Sequence, residues 1–230
     1  MSNAFPHALV TGASSGIGLA ITERLLANGW RVSGVARRAI PLKHPELIHL
    51  ALDLEDPSTA TQILERATGV TAFIHAAGFL VPAPLGALDM DAGMRMWRLH
   101  VDAPARIANE LVPLLPQGGR IILIGSRTSV GSPGKSQYAA TKAALESMTR
   151  SWASELVKRG ITVNLVAPGA TATAMLDDPQ RKSMQPKLPP LGRYIKPQEI
   201  AAAVVYLLSP DADAMTGQTL TLCGGASLPN

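Results

Sequence analysis

The sequence predicts an α/β domain: a parallel β-sheet of about seven strands, doubly wound, with helices on both faces. Three observations carry that expectation. Short β-rich apolar runs alternate with longer helix-patterned stretches, and such alternation joins parallel strands through right-handed crossovers that cover both faces of the sheet. The chain has 230 residues, 47% of them hydrophobic, which is enough for one well-cored unit and awkward for two, so residues 1–230 read as a single domain. A glycine-rich turn lies between the first strand and the first helix, where doubly wound folds place a ligand.

The elements follow in order. The first strand is expected from His7 to Val10, followed by the turn Thr11-Gly12-Ala13-Ser14-Ser15-Gly16-Ile17-Gly18 and the helical pattern Leu19 to Leu26. Apolar β-rich runs then place strands at Arg31 to Ala36, Leu47 to Leu52 and Ala72 to Ala76. A long helix is expected from Asp89 to Leu115, with Met90, Met94, Trp97 and Val101 at helical spacing as either core or an interface between copies. The fifth strand spans Arg120 to Gly125, a second long helix Gln137 to Arg159, and the sixth strand Ile161 to Ala167. The stretch Thr171 to Pro197 is rich in Pro, Asp, Lys and Gln. It is too long for a plain connector and reads as a substrate lid, with Met175, Leu176, Met184 and Leu188 as an adaptable apolar cover or as ordinary packing. Thr219 to Cys223 is the seventh strand.

Composition narrows the function classes. A single cysteine, Cys223, excludes an internal disulfide framework, and the first seven residues lack the basic and apolar blocks of a secretory signal. A reducing cytoplasm is the expected compartment. No apolar run reaches the ~18 residues of a membrane helix, so no membrane association is expected. The net charge of +4 comes from scattered Arg and Lys, not from a basic block interleaved with aromatics, so nucleic acid is not an expected partner. No metal-ligand spacing accompanies Cys223, and no metal site is expected.

The turn after the first strand has the spacing Gly-x3-Gly-x-Gly. Glycines at Gly12, Gly16 and Gly18 let backbone turn tightly and approach a pyrophosphate, while the N–H groups of Ser14, Ser15 and Ile17 and the positive end of the helix meet its charge. The residue closing the second strand decides between NAD and NADP, because an acidic side chain there grips the ribose 2′-hydroxyl and repels a 2′-phosphate. That place reads Val35-Ala36-Arg37-Arg38. With no carboxylate and two guanidiniums, NADP(H) is favoured over NAD(H), with Arg37 the better placed of the two.

Tyr138 and Lys142 lie four apart in a helical stretch, which puts phenol and ammonium side by side. A neighbouring cation favours the phenolate, so Lys142 brings Tyr138 from its usual pKa near ~10 toward the working range of a general acid/base.

With the glycine turn, the missing acid and the Tyr138/Lys142 pair on one chain, the sequence resembles the short-chain dehydrogenase/reductase family in its compact single-domain, Rossmann-type branch. Further motifs resemble that family in order. His75-Ala76-Ala77-Gly78 is similar to its Asn-Ala-Ala-Gly after the fourth strand, and Asp53-Leu54 to the pair that contacts adenine. Gly125-Ser126 falls where the family keeps its catalytic serine, with Ser129 a distant second. Pro168-Gly169-Ala170-Thr171-Ala172-Thr173 is similar to its nicotinamide loop, and Pro197 to Ala201, Thr216-Gly217-Gln218 and Gly224-Gly225 to its C-terminal pattern.

The resemblance implies hydride transfer between a nicotinamide and a carbonyl or alcohol carbon of a small or medium organic substrate. Tyr138 is then the acid/base, Lys142 lowers its pKa and holds the nicotinamide ribose, and Ser126 bonds the substrate oxygen. It also implies a homo-oligomer, tetramer or dimer. An NAD-dependent alcohol dehydrogenase and a non-catalytic dinucleotide-binding regulator are the alternatives. Three departures stand out. His100 occupies the place of a catalytic Asn, either as a substituted proton relay or as a packed core histidine. Cys223 stands where relatives carry Asp, as a buried thiol. Arg127 follows Ser126, either to bind an acidic substrate or to cap the fold.

Overall fold

The computed structural model describes residues 6–176 and 187–229. Seven strands form one sheet in the order β3-β2-β1-β4-β5-β6-β7, every pairing parallel. They are β1 His7–Thr11, β2 Arg31–Val35, β3 Leu47–Leu50, β4 Ala72–His75, β5 Arg120–Ile124, β6 Thr162–Pro168 and β7 Thr219–Leu222. The strands are short because burial on both faces needs only a run of four to seven apolar residues between turns.

Successive side chains of one strand enter opposite layers. In β5, Ile121 and Leu123 pack with α2 (Thr59–Arg66), α4 (Ala103–Leu111) and α5 (Ser136–Leu156). Ile122 and Ile124 pack on the other face with α1 (Gly16–Ala27) and α6 (Pro197–Leu208). The order in which strands are added reverses between β1 and β4, and that switch point opens a crevice at the carboxyl ends of the strands.

The expected helix from Asp89 to Leu115 is instead broken in geometry though continuous in path. Asp89 caps α3 (Met90–Trp97) by accepting the Ala92 N–H at 2.9 Å. A π-turn, Arg98–Asp102, follows, marked by the Ala103 N–H bonding the Arg98 carbonyl, and only then does α4 begin. The cause is Pro104: without an N–H it can bond neither the Leu99 nor the His100 carbonyl, and its ring crowds the residue four back. On this path Met90, Met94 and Trp97 are exposed while Val101 is buried.

The segment from Thr171 onward is closed at its base by a parallel bridge, Thr171 to Ile195, with Ala172 N–H donating to the Ile195 carbonyl at 2.8 Å. Met184 lies outside the described residues. Among the described residues no helix is long and apolar enough to cross a membrane, and no group of three or more His, Cys, Asp or Glu is placed to hold a metal.

Candidate active site

The glycine turn is shaped by close packing. Gly12 has φ +71, and a Cβ there would lie 2.8 Å from the Ala77 backbone; a Cβ on Gly18 would lie 2.3 Å from the Gly12 carbonyl oxygen. The first contact pulls the turn against the loop after β4, and the second seats the start of α1 on the turn. Ser15 is the N-cap residue with its side chain making no cap bond, and the first turn of α1 holds no acid. The N–H groups and positive end of α1 are therefore left for an anion, so the residues present fit a dinucleotide pyrophosphate. The Thr11 hydroxyl fastens the facing loop: it accepts the Ala76 and Ala77 N–H groups at 3.1 and 3.3 Å and bonds His75 Nδ1 at 2.9 Å.

One cleft of about 710 Å³ joins this turn to the candidate catalytic groups, taking in Gly12, Ser15, Gly16, Ile17, Ser126, Tyr138 and Lys142. Ser126, 8% exposed, caps the 3₁₀ turn Arg127–Val130; its Oγ accepts the Thr128 N–H at 3.2 Å and lies 2.9 Å from Thr128 Oγ1. Ser129 is turned away and donates to Glu146. Lys142, on the second turn of α5, is 4% exposed and donates from Nζ to the Ile124 carbonyl at 2.9 Å. Burial pushes its pKa down from 10.5 to about 7. Its Nζ lies 5.7 Å from the Tyr138 ring centroid, so the four-residue spacing does bring the pair together.

His100 is fully buried against the same group. Its ring stands edge-on to Tyr138 with centroids 5.6 Å apart. Nε2 accepts the Phe79 N–H at 3.1 Å. Thr141 Oγ1 gives its own proton to the Tyr138 carbonyl at 2.8 Å, so it accepts from His100 Nδ1–H, also at 2.8 Å. These partners set a neutral Nδ1–H tautomer. Burial first, then the Lys142 and His75 charges, hold His100 well below the usual histidine range. His75 is driven to about 3 by burial and then by Lys142, with the Leu99 carbonyl opposing; its buried Nε2 has no hydrogen-bond partner within normal geometry. Both rings are therefore neutral beside a lysine that is itself easily discharged.

The remaining nominated residues fall in two groups. Ala76, Ala77, Gly78, Pro168, Gly169, Thr171 and Thr173 line the cleft, as do Met175, Leu176 and Leu188. Ser14, Gly18, Arg37, Arg38, Asp53 and Leu54 do not line it. Leu54 is packed in the core, which leaves only its backbone for a ligand. Arg37 Nη1 stands 3.8 Å from Asp53 Oδ2, both exposed, while Arg38 Nη2 reaches Ser15 Oγ at 3.4 Å. Sequence reasoning missed Thr11, Thr141 and Lys187, whose residue types carry no motif; only their positions beside the cleft show their use.

Fold and site together define a Rossmann-type dinucleotide-binding oxidoreductase domain. Residues 12–227 match the family described as Enoyl-(Acyl carrier protein) reductase. The chain is 36% identical over 234 residues to the 3-oxoacyl-[acyl-carrier-protein] reductase FabG of Salmonella typhimurium, covering 95% of this chain and 96% of the relative. It is 30% identical over 226 residues to the cyclic-di-GMP-binding biofilm dispersal mediator protein of Escherichia coli, covering 94% of each. Among solved structures, a short chain dehydrogenase family protein from Francisella tularensis superposes with TM-score 0.90 at 28% identity, over 98% of this chain and 100% of that one. A blue fluorescent protein from a metagenomic library, in complex with NADPH, superposes with TM-score 0.86 at 32% identity, over 96% and 98%. The chain belongs to the short-chain dehydrogenase/reductase family.

Proposed function

We propose that the protein is an NADPH-dependent reductase of a small or medium carbonyl compound. The observation that carries this reading is the single cleft that holds the glycine turn at one end and Ser126, Tyr138 and Lys142 at the other. The nicotinamide, when bound, supplies the hydride to the carbonyl carbon or takes it back from the alcohol. Tyr138 Oη gives the proton to the carbonyl oxygen, so that one hydride and one proton together make the alcohol. Ser126 Oγ donates a hydrogen bond to that oxygen while its charge grows. Lys142 stabilises the tyrosinate left behind and returns a proton to it, a role suited to an ammonium whose pKa lies at about 7.

His100 is best read as a positioning residue, since both of its ring nitrogens are committed to Phe79 and Thr141. Support for NADPH comes from Arg37 and Arg38 at the end of β2, and from the NADPH-bound structural neighbour. The reading keeps Thr171 to Pro197 as the substrate lid, supported by Met175, Leu176 and Leu188, which line the cleft.

Replacing Tyr138 by Phe tests the reading. Turnover of a carbonyl panel, followed as NADPH oxidation, is expected to drop by about 10²–10⁴-fold, while NADPH still raises the unfolding midpoint as in the unchanged protein. Equal turnover in the Phe variant would end the acid/base assignment. A regulator that needs only a bound dinucleotide would keep its behaviour in that variant.

A further inference from the structure

The charges lining the cleft are all of one sign. Arg127, Lys135, Lys142 and Lys187 line it, and no Asp or Glu does among the described residues. Lys142 is committed to Tyr138 and the Ile124 carbonyl, and the pyrophosphate is met by the turn after β1. Arg127 is different. It follows Ser126 on the loop after β5, two strands across the sheet from the glycine turn, too far round for the pyrophosphate cradle and directly beside the serine that faces the reacting oxygen.

The Arg127 side chain is half-buried. Its Nη1 donates to the Ala226 carbonyl at 3.0 Å, which ties the C-terminal turn to the rim of the cleft. Ala226 and Leu228 of that turn line the cleft as well. None of the ion pairs among the described residues includes Arg127. A guanidinium anchored through Nη1 still presents the Nε–Nη2 edge, the planar pair of donors that matches a carboxylate or phosphate. The Nη1 edge thus caps the fold.

We propose that the substrate of this reductase is anionic, carrying a carboxylate or phosphate a few bonds from its carbonyl carbon, and that Arg127 is the residue that selects it. Ser126 and Arg127 line one cleft, so the carbonyl oxygen met by the first and the anion met by the second belong to one small molecule. The inference rests on the reductase reading above and deepens it from a carbonyl compound to an oxo-acid or keto-phosphate.

The experiment uses matched pairs that differ only in charge: acetoacetate against ethyl acetoacetate, and dihydroxyacetone phosphate against dihydroxyacetone. NADPH oxidation is measured for the unchanged protein, Arg127→Gln and Arg127→Lys, with the unfolding midpoint of each as the check on the Ala226 tie. In one pair the unchanged protein prefers the anion, and the pair that shows it tells carboxylate from phosphate. Arg127→Gln lowers the anion-to-neutral ratio of kcat/KM by about 10–100-fold, chiefly through KM, and Arg127→Lys restores part of it. Preference for the neutral member in both pairs overturns the proposal and leaves the reductase reading intact. So does an equal loss on both members in Arg127→Gln, the mark of a residue that only caps. Absence of NADPH oxidation with all four compounds and with a wider neutral ketone panel overturns both.

Discussion

Lys142 concentrates the energetics of the site in one residue. It is buried, its Nζ rests on a backbone carbonyl, and no carboxylate offsets the charge, so the folded state favours the amine: pKa about 7 against 10.5 for the free group. Between those values the folded chain holds the Lys142 proton less tightly than the unfolded chain does, so stability rises with pH across that window. Below about pH 7 the penalty is fully present, on the order of a few kcal/mol, and above about pH 10.5 it is gone. Replacing Lys142 by Met should therefore stabilise the cofactor-free protein at pH 6, with the gain shrinking toward pH 10 in urea titrations. A gain that stays flat over that range would mean the cost of Lys142 is packing and not charge. At this scale the sequence disclosed residue types but not directions. Tyr138, Lys142 and Ser126 were legible because helical spacing and position after a strand determine where such side chains go. For Arg37 and Arg38 the position after β2 carried no direction: Arg38 reaches Ser15 of the glycine turn, while Arg37 stands beside Asp53.

The π-turn at Arg98–Asp102 is the element that most separates this chain from an ideal layout. A sequence-periodicity argument runs smoothly from Asp89 to Leu115, since apolar spacing barely registers one extra residue in a turn, and Pro104 was the sole local hint. The strands were far more legible, all seven falling within a residue or two of the expected bounds, because short β-rich runs between turns mark both the buried central strands and the partly exposed edges β3 and β7. The consequence of the wide turn is the position of His100, which locks the loop after β4 through Phe79 and the second turn of α5 through Thr141. Tyr138 lies one turn before Thr141 on that helix and Lys142 directly after it. His100→Asn retains an acceptor and a donor, whereas His100→Leu leaves the Phe79 N–H unpaired, at about 1–3 kcal/mol for a buried group, and removes the second bond of the Thr141 hydroxyl, which keeps its bond to the Tyr138 carbonyl. The Leu variant should unfold at lower urea and lose kcat with little change in KM for NADPH, and the Asn variant should recover most of both. A pure packing role would be served better by Leu than by Asn, so the reverse order would remove the positioning role.

At the scale of the whole molecule, the crevice at the strand reversal joins parts of the chain that are distant in sequence, and a dinucleotide lying along it would tie β1, β2, β4, β5 and β6 ends together. Binding to the folded state alone raises stability by about 2.7 kcal/mol at a hundredfold excess over Kd. For a chain of this size that is roughly 5–10 °C in the unfolding midpoint. NADPH should give the larger shift and NADH at equal concentration the smaller, because only the former carries a phosphate for the guanidiniums at the end of β2. Arg38, bonded to Ser15, bridges that strand end to the glycine turn, whereas Arg37 is partly neutralised by Asp53. Arg38→Asp should therefore narrow or reverse the difference between the two cofactors, and Arg37→Asp should act in the same direction, with the added repulsion of Asp53. Both pairs are exposed, so the discrimination they provide should weaken as salt is raised. Equal shifts for the two cofactors in the unchanged protein, insensitive to salt, would place the 2′-phosphate beyond the reach of both arginines and return the choice of cofactor to the NAD-dependent alternative.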